Sequence, residues 1–202
     1  MKIIKNAINL MCLFCLISIA GCKKDKDTTT AATPAPAVDK LCNGNGSTSY
    51  YPFVNANQWT YSYSVSSTNP VIRITGTQTF LSKVFFVLRD DNSLYYTGDV
   101  YFREDATTHN IYTYDTSTHL EYLEVPGSPS LNQTWTNAYG QTCIVADLNA
   151  SINSGYCSYT GLLKIIVGSS NTRYYKKGLG LVYDTESSFP ATIMKLKTVT
   201  LN

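Results

Sequence analysis

The chain has 202 residues, a formal net charge of +2 and only 15% charged residues. A nearly neutral chain without a long basic run lacks the electrostatic footprint of a nucleic-acid-binding protein, so nucleic acid is excluded as a partner. Lys2 and Lys5, close to the N-terminus, account for the whole excess of positive charge.

The first 21 residues have the order of an export signal. Lys2 and Lys5 precede an apolar run, Leu10 to Cys22, that is too short and too poorly flanked for a stable transmembrane helix. Its end, IAGC, resembles a bacterial lipobox. The resemblance implies that residues 1–21 are a signal peptide and that Cys22 carries diacylglycerol and further acyl chains such as palmitate, which anchor the protein to a membrane. An ordinary secretory signal with a coincidental cysteine is the alternative.

Residues 22–49 follow as a polar tract, charged from Lys23 to Asp27 and then rich in Thr, Ala and Pro. Such a segment has too few large apolar residues to offset the entropy lost on ordering, so we expect a disordered stalk. A charged tract behind a lipidated cysteine resembles the sorting signals of Bacteroidetes lipoproteins. The resemblance implies a cell-envelope protein anchored to the outer membrane, facing either the periplasm or the cell exterior.

Residues 50–202 have the composition of one β-rich globular domain. All 16 tyrosines fall between Tyr50 and Tyr183, among many Thr, Ser and Val residues, which is typical of strands. Helical spacing of apolar residues never persists for three turns. Instead, short β-rich runs alternate with Gly, Asn, Asp, Ser and Pro.

These runs predict around ten consecutive antiparallel strands. In chain order they cover residues 59–65, 71–80, 84–88, 94–96, 100–103, 111–114, 120–125, 141–148, 159–167, 172–176, 179–183 and 192–201. The runs at 94–96 and 100–103 flank a hairpin turn or bulge. Short connections favour an all-β meander curled into a barrel-like or half-barrel sheet, with a β-sandwich as the alternative.

Beyond the lipobox cysteine, the mature chain keeps Cys42, Cys143 and Cys157. An exported protein favours disulfides, and three thiols allow one bridge. We expect Cys143–Cys157, because both lie in or beside adjacent predicted strands; a bridge from Cys42 to either one is the alternative. No C-x-x-C pair exists, and His109 and His119 have no clustered ligands, so no metal site and no cofactor are expected.

Two sequence elements resemble a group of Bacteroidetes lipoproteins of unknown function. Residues 50–61 (YYPFVNANQWTY) are similar to the opening motif of their mature domains, and residues 175–182 (YKKGLGLV) to a late glycine-containing element. Four residues of these elements are expected to have structural roles: Pro52, Trp59, Gly178 and Gly180. A proline holds its local chain extended, an aromatic ring can plug the end of a curled sheet, and glycines permit a turn or bulge.

The sequence contains no convincing catalytic constellation. There is no G-x-S-x-G motif, and Glu121 and Glu124 lie on opposite faces of a predicted strand. We therefore expect a non-catalytic module that binds an apolar or carbohydrate ligand or a protein partner. Six aromatic residues are candidates for lining its concave face: Tyr61, Tyr63, Phe86, Tyr96, Tyr112 and Tyr114. The alternatives are a structural subunit of an envelope complex and, less favoured, a glycan-acting hydrolase.

Overall fold

The computed structural model describes residues 39–187 and 191–202. The predicted signal peptide, Cys22 and most of the predicted stalk therefore lie outside the described residues. Within the described part, one short helix precedes the strands, and no helix is long and apolar enough to cross a membrane. The elements are α1 (Lys40–Asn43), β1 (Gln58–Tyr63), β2 (Val71–Phe80), β3 (Lys83–Asp90), β4 (Val100–Glu104), β5 (Ile111–Asp115), β6 (Leu120–Val125), β7 (Thr134–Thr136), β8 (Thr142–Asn153), β9 (Ser158–Val167), β10 (Asn171–Lys176), β11 (Gly180–Glu186) and β12 (Thr192–Thr200).

The described strands form one antiparallel sheet with the order β6-β5-β4-β3-β2-β1-β12-β11-β10-β9-β8-β7. Consecutive strands are neighbours throughout, except that β1 pairs with β12 and that no ladder joins β6 to β7 among the described residues. The result is an up-and-down meander curled into a nearly closed, barrel-like sheet. The predicted all-β class and barrel-like meander are confirmed in preference to the β-sandwich.

The structure differs from the sequence prediction in the presence of two strands, and β8 and β11 extend beyond their predicted ends at residues 148 and 183. Residues 94–96 form part of the β3–β4 connection, because the N–H groups of Leu94 and Tyr95 donate to the buried carboxylate of Asp90 (2.9 and 2.7 Å) and not to a neighbouring strand. Strand β7 was not predicted, because a three-residue strand with one large apolar side chain carries almost no periodic signal.

The sheet has two different ends. We call the end where β1 begins the closed end: Gln58 pairs there with Thr200, and the preceding segment packs across it with Tyr50 and Tyr51 buried. The opposite end, where β1 finishes, is the open end. The final residues of β5, β9 and β11 and the first residues of β6, β10 and β12 lie at the open end.

The two sequence elements of the lipoprotein resemblance meet at the closed end. The side chain of Trp59, 1% exposed, donates its Nε1–H to the carbonyl oxygen of Leu179 (2.6 Å). At Gly180, where φ is +92°, a Cβ would lie 2.8 Å from a ring carbon of Tyr51. Gly178 has φ +71° in the turn between β10 and β11. The two elements are distant in sequence. They come close in space because only one strand, β12, separates β1 from β11 in the sheet.

Asn57 fastens this end to the C-terminus. It is 0% exposed, and its Nδ2–H donates to the carbonyl oxygen of Pro52 (2.6 Å). Its Oδ1 accepts a hydrogen bond from the backbone N–H of Asn202 (2.8 Å). Pro52 therefore lies in a segment that is held to both the start of β1 and the end of the chain.

The structure corrects the predicted disulfide. Cys157 is bonded to Cys42, at a sequence separation of 115, and Cys143 is buried without a disulfide partner among the described residues. Cys143 pairs with Val167 at the open end of the β8–β9 hairpin, whereas Cys157 lies beside the hairpin turn at the closed end. About ten residues of strand separate the two positions, roughly 30 Å, and the Cα atoms of a disulfide lie within about 7 Å of each other. The alternative, a bridge from Cys42, is the one present, and it fixes α1 at the closed end.

Candidate functional site

A cavity of about 680 Å³ occupies the open end of the sheet. Its walls come from the start of β4, the end of β5, and the open-end parts of β10, β11 and β12. The β3–β4 and β7–β8 connections contribute to its rim. This volume is within the range of small-molecule binding sites.

Aromatic rings supply much of the cavity wall. Seven lining residues are aromatic: Tyr63, Tyr95, Tyr96, Tyr101, Phe102, Tyr114 and Tyr139. The ring centroids of Tyr95 and Tyr96 are 4.7 Å apart. Burial raises the pKa of both hydroxyls well above the ordinary tyrosine value. At neutral pH these hydroxyls therefore stay protonated and can donate as well as accept hydrogen bonds.

Charged side chains lie inside this wall and form what we call the interior charge cluster: Arg173, Glu124 and Asp184. Arg173 Nη1 donates to Glu124 Oε1 (2.8 Å), and Arg173 Nε lies 3.4 Å from Asp184 Oδ2. The hydroxyls of Tyr175 and Tyr95 donate to Glu124 (3.0 Å) and Asp184 (2.9 Å), respectively. The three charged side chains are only 10–17% exposed. One guanidinium therefore serves two carboxylates.

The register of the sheet places Arg173 and Asp184 together. Arg173 of β10 is directly opposite Asp184 of β11, which is opposite Met194 of β12, which in turn is opposite Tyr63 of β1. Opposite residues in neighbouring strands share a face of the sheet. These four side chains therefore form one row along the inner wall of the cavity.

Glu124 reaches the cluster from β6 because of a β-bulge. In the β5–β6 ladder, Ile111 is opposite Val125 and Tyr112 is opposite Leu123, so Glu124 is the additional residue. A bulge changes the direction of a side chain relative to the normal alternation of a strand. The resulting ion pair joins β6 to β10, two strands that share no ladder.

The interior charge cluster has unused hydrogen-bonding capacity. Asp184 is 8% exposed, and its buried Oδ1 accepts no hydrogen bond from a described residue. The buried Nε of Arg173 likewise donates none that meets hydrogen-bond geometry. Since nearly all buried polar atoms in proteins are satisfied, these two atoms mark positions where a ligand or solvent would gain hydrogen bonds.

Carboxylates outnumber cations around the cavity. Its described lining contains five acidic residues and one basic residue: Asp99, Asp115, Glu124, Asp184, Glu186 and Arg173. Hydrogen bonds from Arg89 hold the pKa of Asp99 below its ordinary value, and those from Ser117 do the same for the pKa of Asp115. Both rim carboxylates are therefore ionised at neutral pH.

Three of the six predicted lining residues border the cavity: Tyr63, Tyr96 and Tyr114. Tyr63 belongs to the inner row, and Tyr96 lies in the β3–β4 connection. The ring of Tyr114 stacks on Phe80, which does not line the cavity, with a centroid distance of 4.2 Å. That any of the three binds a ligand stays a prediction.

The structure does not bring the other three predicted residues to this cavity. Tyr61 is buried deeper, and its hydroxyl donates to a backbone carbonyl of β11 (2.9 Å). Phe86 stacks on Phe53 (5.1 Å) beside a smaller cavity of about 320 Å³. Tyr112 lies under the guanidinium of Arg103 (4.5 Å). Strand alternation cannot separate these environments, because the two ends and the two faces of a curled sheet contain aromatic residues of the same spacing.

Sequence reasoning missed the interior charge cluster and Tyr139. Arg173 falls inside the predicted strand 172–176, and Asp184 directly follows the predicted strand 179–183; a charged residue beside aromatic strand residues is the available signal. That signal becomes informative only when the register shows that the two residues are opposite each other. Tyr139, 78% exposed, lies in a turn in which the side chain of Asn137 accepts hydrogen bonds from two backbone N–H groups.

No protein-family model and no curated protein matches this chain. The structure is similar to the crystal structure of a proposed lipoprotein from Parabacteroides distasonis ATCC 8503, with a TM-score of 0.43. The two chains are 10% identical, and the alignment covers 76% of this chain and 99% of the other. A similarity at this level supports no argument about the function of this chain.

Proposed function

We propose that this chain is a lipid-anchored protein of the bacterial cell envelope whose β-rich domain binds a small ligand, without catalysis, in the cavity at its open end. The observation that carries the binding proposal is the cavity itself. It has a volume of about 680 Å³, a wall rich in tyrosine, and a charge cluster whose hydrogen bonds are incomplete.

A ligand with polar edges, such as a carbohydrate, suits this wall better than a fully apolar one. Tyrosine rings offer flat faces for stacking together with hydroxyls that bond polar groups. Asp184 Oδ1 and Arg173 Nε are already buried, and an apolar ligand would leave both without hydrogen bonds, which is costly for buried polar atoms.

The end of the sheet at which the described residues begin supports the proposal of a binding module on a tether. The described residues begin at Asp39, and α1 is fixed at the closed end by the disulfide to Cys157. A tether that precedes Asp39 would therefore attach at the closed end. The mouth of the cavity lies at the opposite end of the sheet.

The anchor is tested at Cys22, which the proposal takes as the acylated residue. We expect the full-length protein expressed in a Gram-negative bacterium to sediment with membranes and to yield an N-terminal peptide carrying acyl chains by mass spectrometry. The Cys22→Ala variant should lose both properties. An unacylated N-terminus on the wild-type protein would contradict the anchor and leave the binding proposal in place.

Binding is tested by thermal shift against a panel of glycans and lipids. A ligand at about 100 times its Kd stabilises the folded state by about 2.7 kcal/mol, which raises the Tm of a domain of this size by roughly 5–10 °C. The Thr113→Trp variant, which fills the cavity, should abolish the shift, and Thr107→Trp, on an exposed turn, should keep it. A panel that shifts nothing would favour the structural-subunit alternative, which cross-linking in isolated membranes would then test.

One observation favours a second candidate, a glycan-acting hydrolase: two carboxylates, Glu124 and Asp184, lie on the same guanidinium inside the cavity. Glycosidases use a pair of carboxylates, one of which must hold a proton. Glu124 and Asp184 already accept hydrogen bonds from Tyr175 and Tyr95 and are both paired with Arg173, so we rank this candidate second. Turnover of fluorogenic glycosides that disappears in both Glu124→Gln and Asp184→Asn would reverse the ranking.

A further inference from the structure

We propose that the ligand of the open-end cavity carries a positively charged organic group, such as an ammonium, and that Asp184 binds this group. The inference rests on the proposed binding function and adds the charge and chemical class of the ligand.

The first argument is the charge of the wall. Among the described lining residues, Arg173 is the only cation, and it is already engaged by Glu124 and Asp184. Of the other three carboxylates, Asp99 is paired with Arg89 outside the cavity (2.7 and 2.9 Å). The remaining surplus is negative, so an anionic glycan or lipid headgroup would be repelled and a cation attracted.

The second argument is the unpartnered acceptor. Asp184 lines the cavity, is more than nine-tenths buried, and has no hydrogen bond at Oδ1. Its other oxygen, Oδ2, accepts from the hydroxyl of Tyr95. A carboxylate that already receives one neutral donor and shares one guanidinium has capacity for a further charged donor, and a charge-assisted hydrogen bond is the strongest one available to it.

The third argument is the composition of the surrounding wall. Met194 and Tyr63 lie beside Asp184 in the inner row, and Tyr95 and Tyr96 border the same cavity. Tyrosine faces attract organic cations through the ring quadrupole. A wall of aromatic rings that contains the deep carboxylate of Asp184 therefore suits an ammonium attached to a carbon skeleton.

A metal ion fits the wall less well than an organic cation. Hard divalent cations need several oxygen ligands at once. Among the described residues, the only group of three potential metal ligands in mutual reach is Asp39, Cys42 and Cys157, which lies at the closed end and has both sulfurs in the disulfide.

The test is calorimetric titration of the folded protein with pairs of compounds that differ only in charge: tyramine against tyrosol, and the β-1,4-linked glucosamine trimer against cellotriose. Tyramine has one ammonium where tyrosol has a hydroxyl, and the glucosamine trimer has one ammonium in place of the C2 hydroxyl on each of its three sugars. We expect at least one cationic member to bind ten times or more tightly than its neutral partner, with an affinity that falls as salt is added.

Substitutions identify the side chain that makes the protein prefer the cationic compound over the neutral one. Asp184→Asn should weaken the cationic member at least about tenfold and leave the neutral member within about twofold. Glu186→Gln, exposed at the rim, should have a smaller effect in the same direction and keeps the test valid if Asp184→Asn fails to fold. Asp147→Asn, exposed and away from the cavity, is the matched control.

The outcomes separate this inference from the proposed function. Equal or tighter binding of the neutral members, abolished by Thr113→Trp, would overturn the charge preference and leave the binding function standing. Binding of no member of either pair would count against both. Cationic preference that survives Asp184→Asn and Glu186→Gln unchanged would overturn the assignment to this site.

Discussion

Glu124 shows how a single side chain can join parts of the sheet that the backbone leaves apart. Its carboxylate accepts hydrogen bonds from Arg173 and Tyr175 of β10, while its own strand, β6, is an edge of the sheet. The pair is largely removed from solvent, at 16–17% exposure, so loss of the Glu124 charge weakens two partly buried, charge-assisted hydrogen bonds and leaves Arg173 paired with Asp184.

We therefore expect Glu124→Gln to lower the free energy of unfolding by about 1–3 kcal/mol, because the amide keeps the shape but not the charge. Urea denaturation measures this difference. The matched control is Glu186→Gln, whose exposed side chain should change stability by less than about 0.5 kcal/mol. Equal effects of the two substitutions would show that the Glu124 ion pair does not stabilise the fold.

A comparison of Gly180 with Gly140 separates two destabilising effects of an alanine substitution, an unfavourable backbone conformation and a close contact of the added Cβ. Both Gly180 (φ +92°) and Gly140 (φ +72°) have positive φ, but a Cβ would meet the ring of Tyr51 at 2.8 Å in the first case and open space in the second. We expect Gly140→Ala to cost about 1 kcal/mol and Gly180→Ala about 2–4 kcal/mol, measured by chemical denaturation. Similar costs would mean that Tyr51 moves away without penalty.

Cys143 gives a pH-dependent prediction. Burial, together with the nearby carboxylate of Glu124, raises the pKa of this thiol to about 11. At pH 8 its thiolate fraction is then roughly a hundredfold below that of an ordinary cysteine, so iodoacetamide should alkylate it about a hundred times more slowly than after unfolding.

Because the folded state holds the proton, this thiol's contribution to stability is present below pH 8.5 and is lost as the pH rises towards 11. Rapid alkylation of the folded protein would contradict its burial.

Helix α1 is held at the closed end chiefly by side-chain and covalent contacts. It has only four residues, too few to be stable alone, and its contacts include the Cys42–Cys157 disulfide and a hydrogen bond from the hydroxyl of Tyr159 to the carbonyl of Leu41 (3.1 Å). We expect the double variant Cys42→Ser, Cys157→Ser to lose about 2–5 kcal/mol, because the bond closes a loop of more than a hundred residues.

Peptide mapping without reduction tests the pairing that underlies this expectation. A Cys42–Cys157 linked peptide is predicted, with Cys143 recovered as a thiol. A Cys143–Cys157 peptide would contradict the structure. As a matched control, Cys143→Ser should leave the linked peptide in place.

At the scale of strands, the sequence predicted well what depends on local alternation. The runs that became β1, β2 and β9 are recognisable because apolar and β-branched residues repeat with the period of a strand. The bulge that exposes Glu124 to the interior, and the β3–β4 connection held by Asp90, could not be predicted. Both depend on which neighbour a backbone group pairs with, which is a property of the register and not of the segment.

For the whole molecule, the order of strands followed from short connections, but the location of the site did not. Successive strands of a meander run in opposite directions, so their connections alternate between the two ends of the sheet. Which end is closed and which is open is therefore defined only once the chain is folded. Trp59 and Tyr51 fill one end, whereas Arg173 and Asp184 leave polar atoms unsatisfied near the other. That asymmetry between the ends is the basis for assigning binding to the open end.

The most direct test of this assignment is an NMR titration of the folded domain with the compound that gives the largest thermal shift. We predict that the largest chemical-shift changes fall on open-end residues, among them Tyr63, Tyr96 and Tyr139, and that Tyr51 and Tyr156 at the closed end stay unchanged. Changes concentrated at the closed end or on the outer face, with the open end unaffected, would contradict the account.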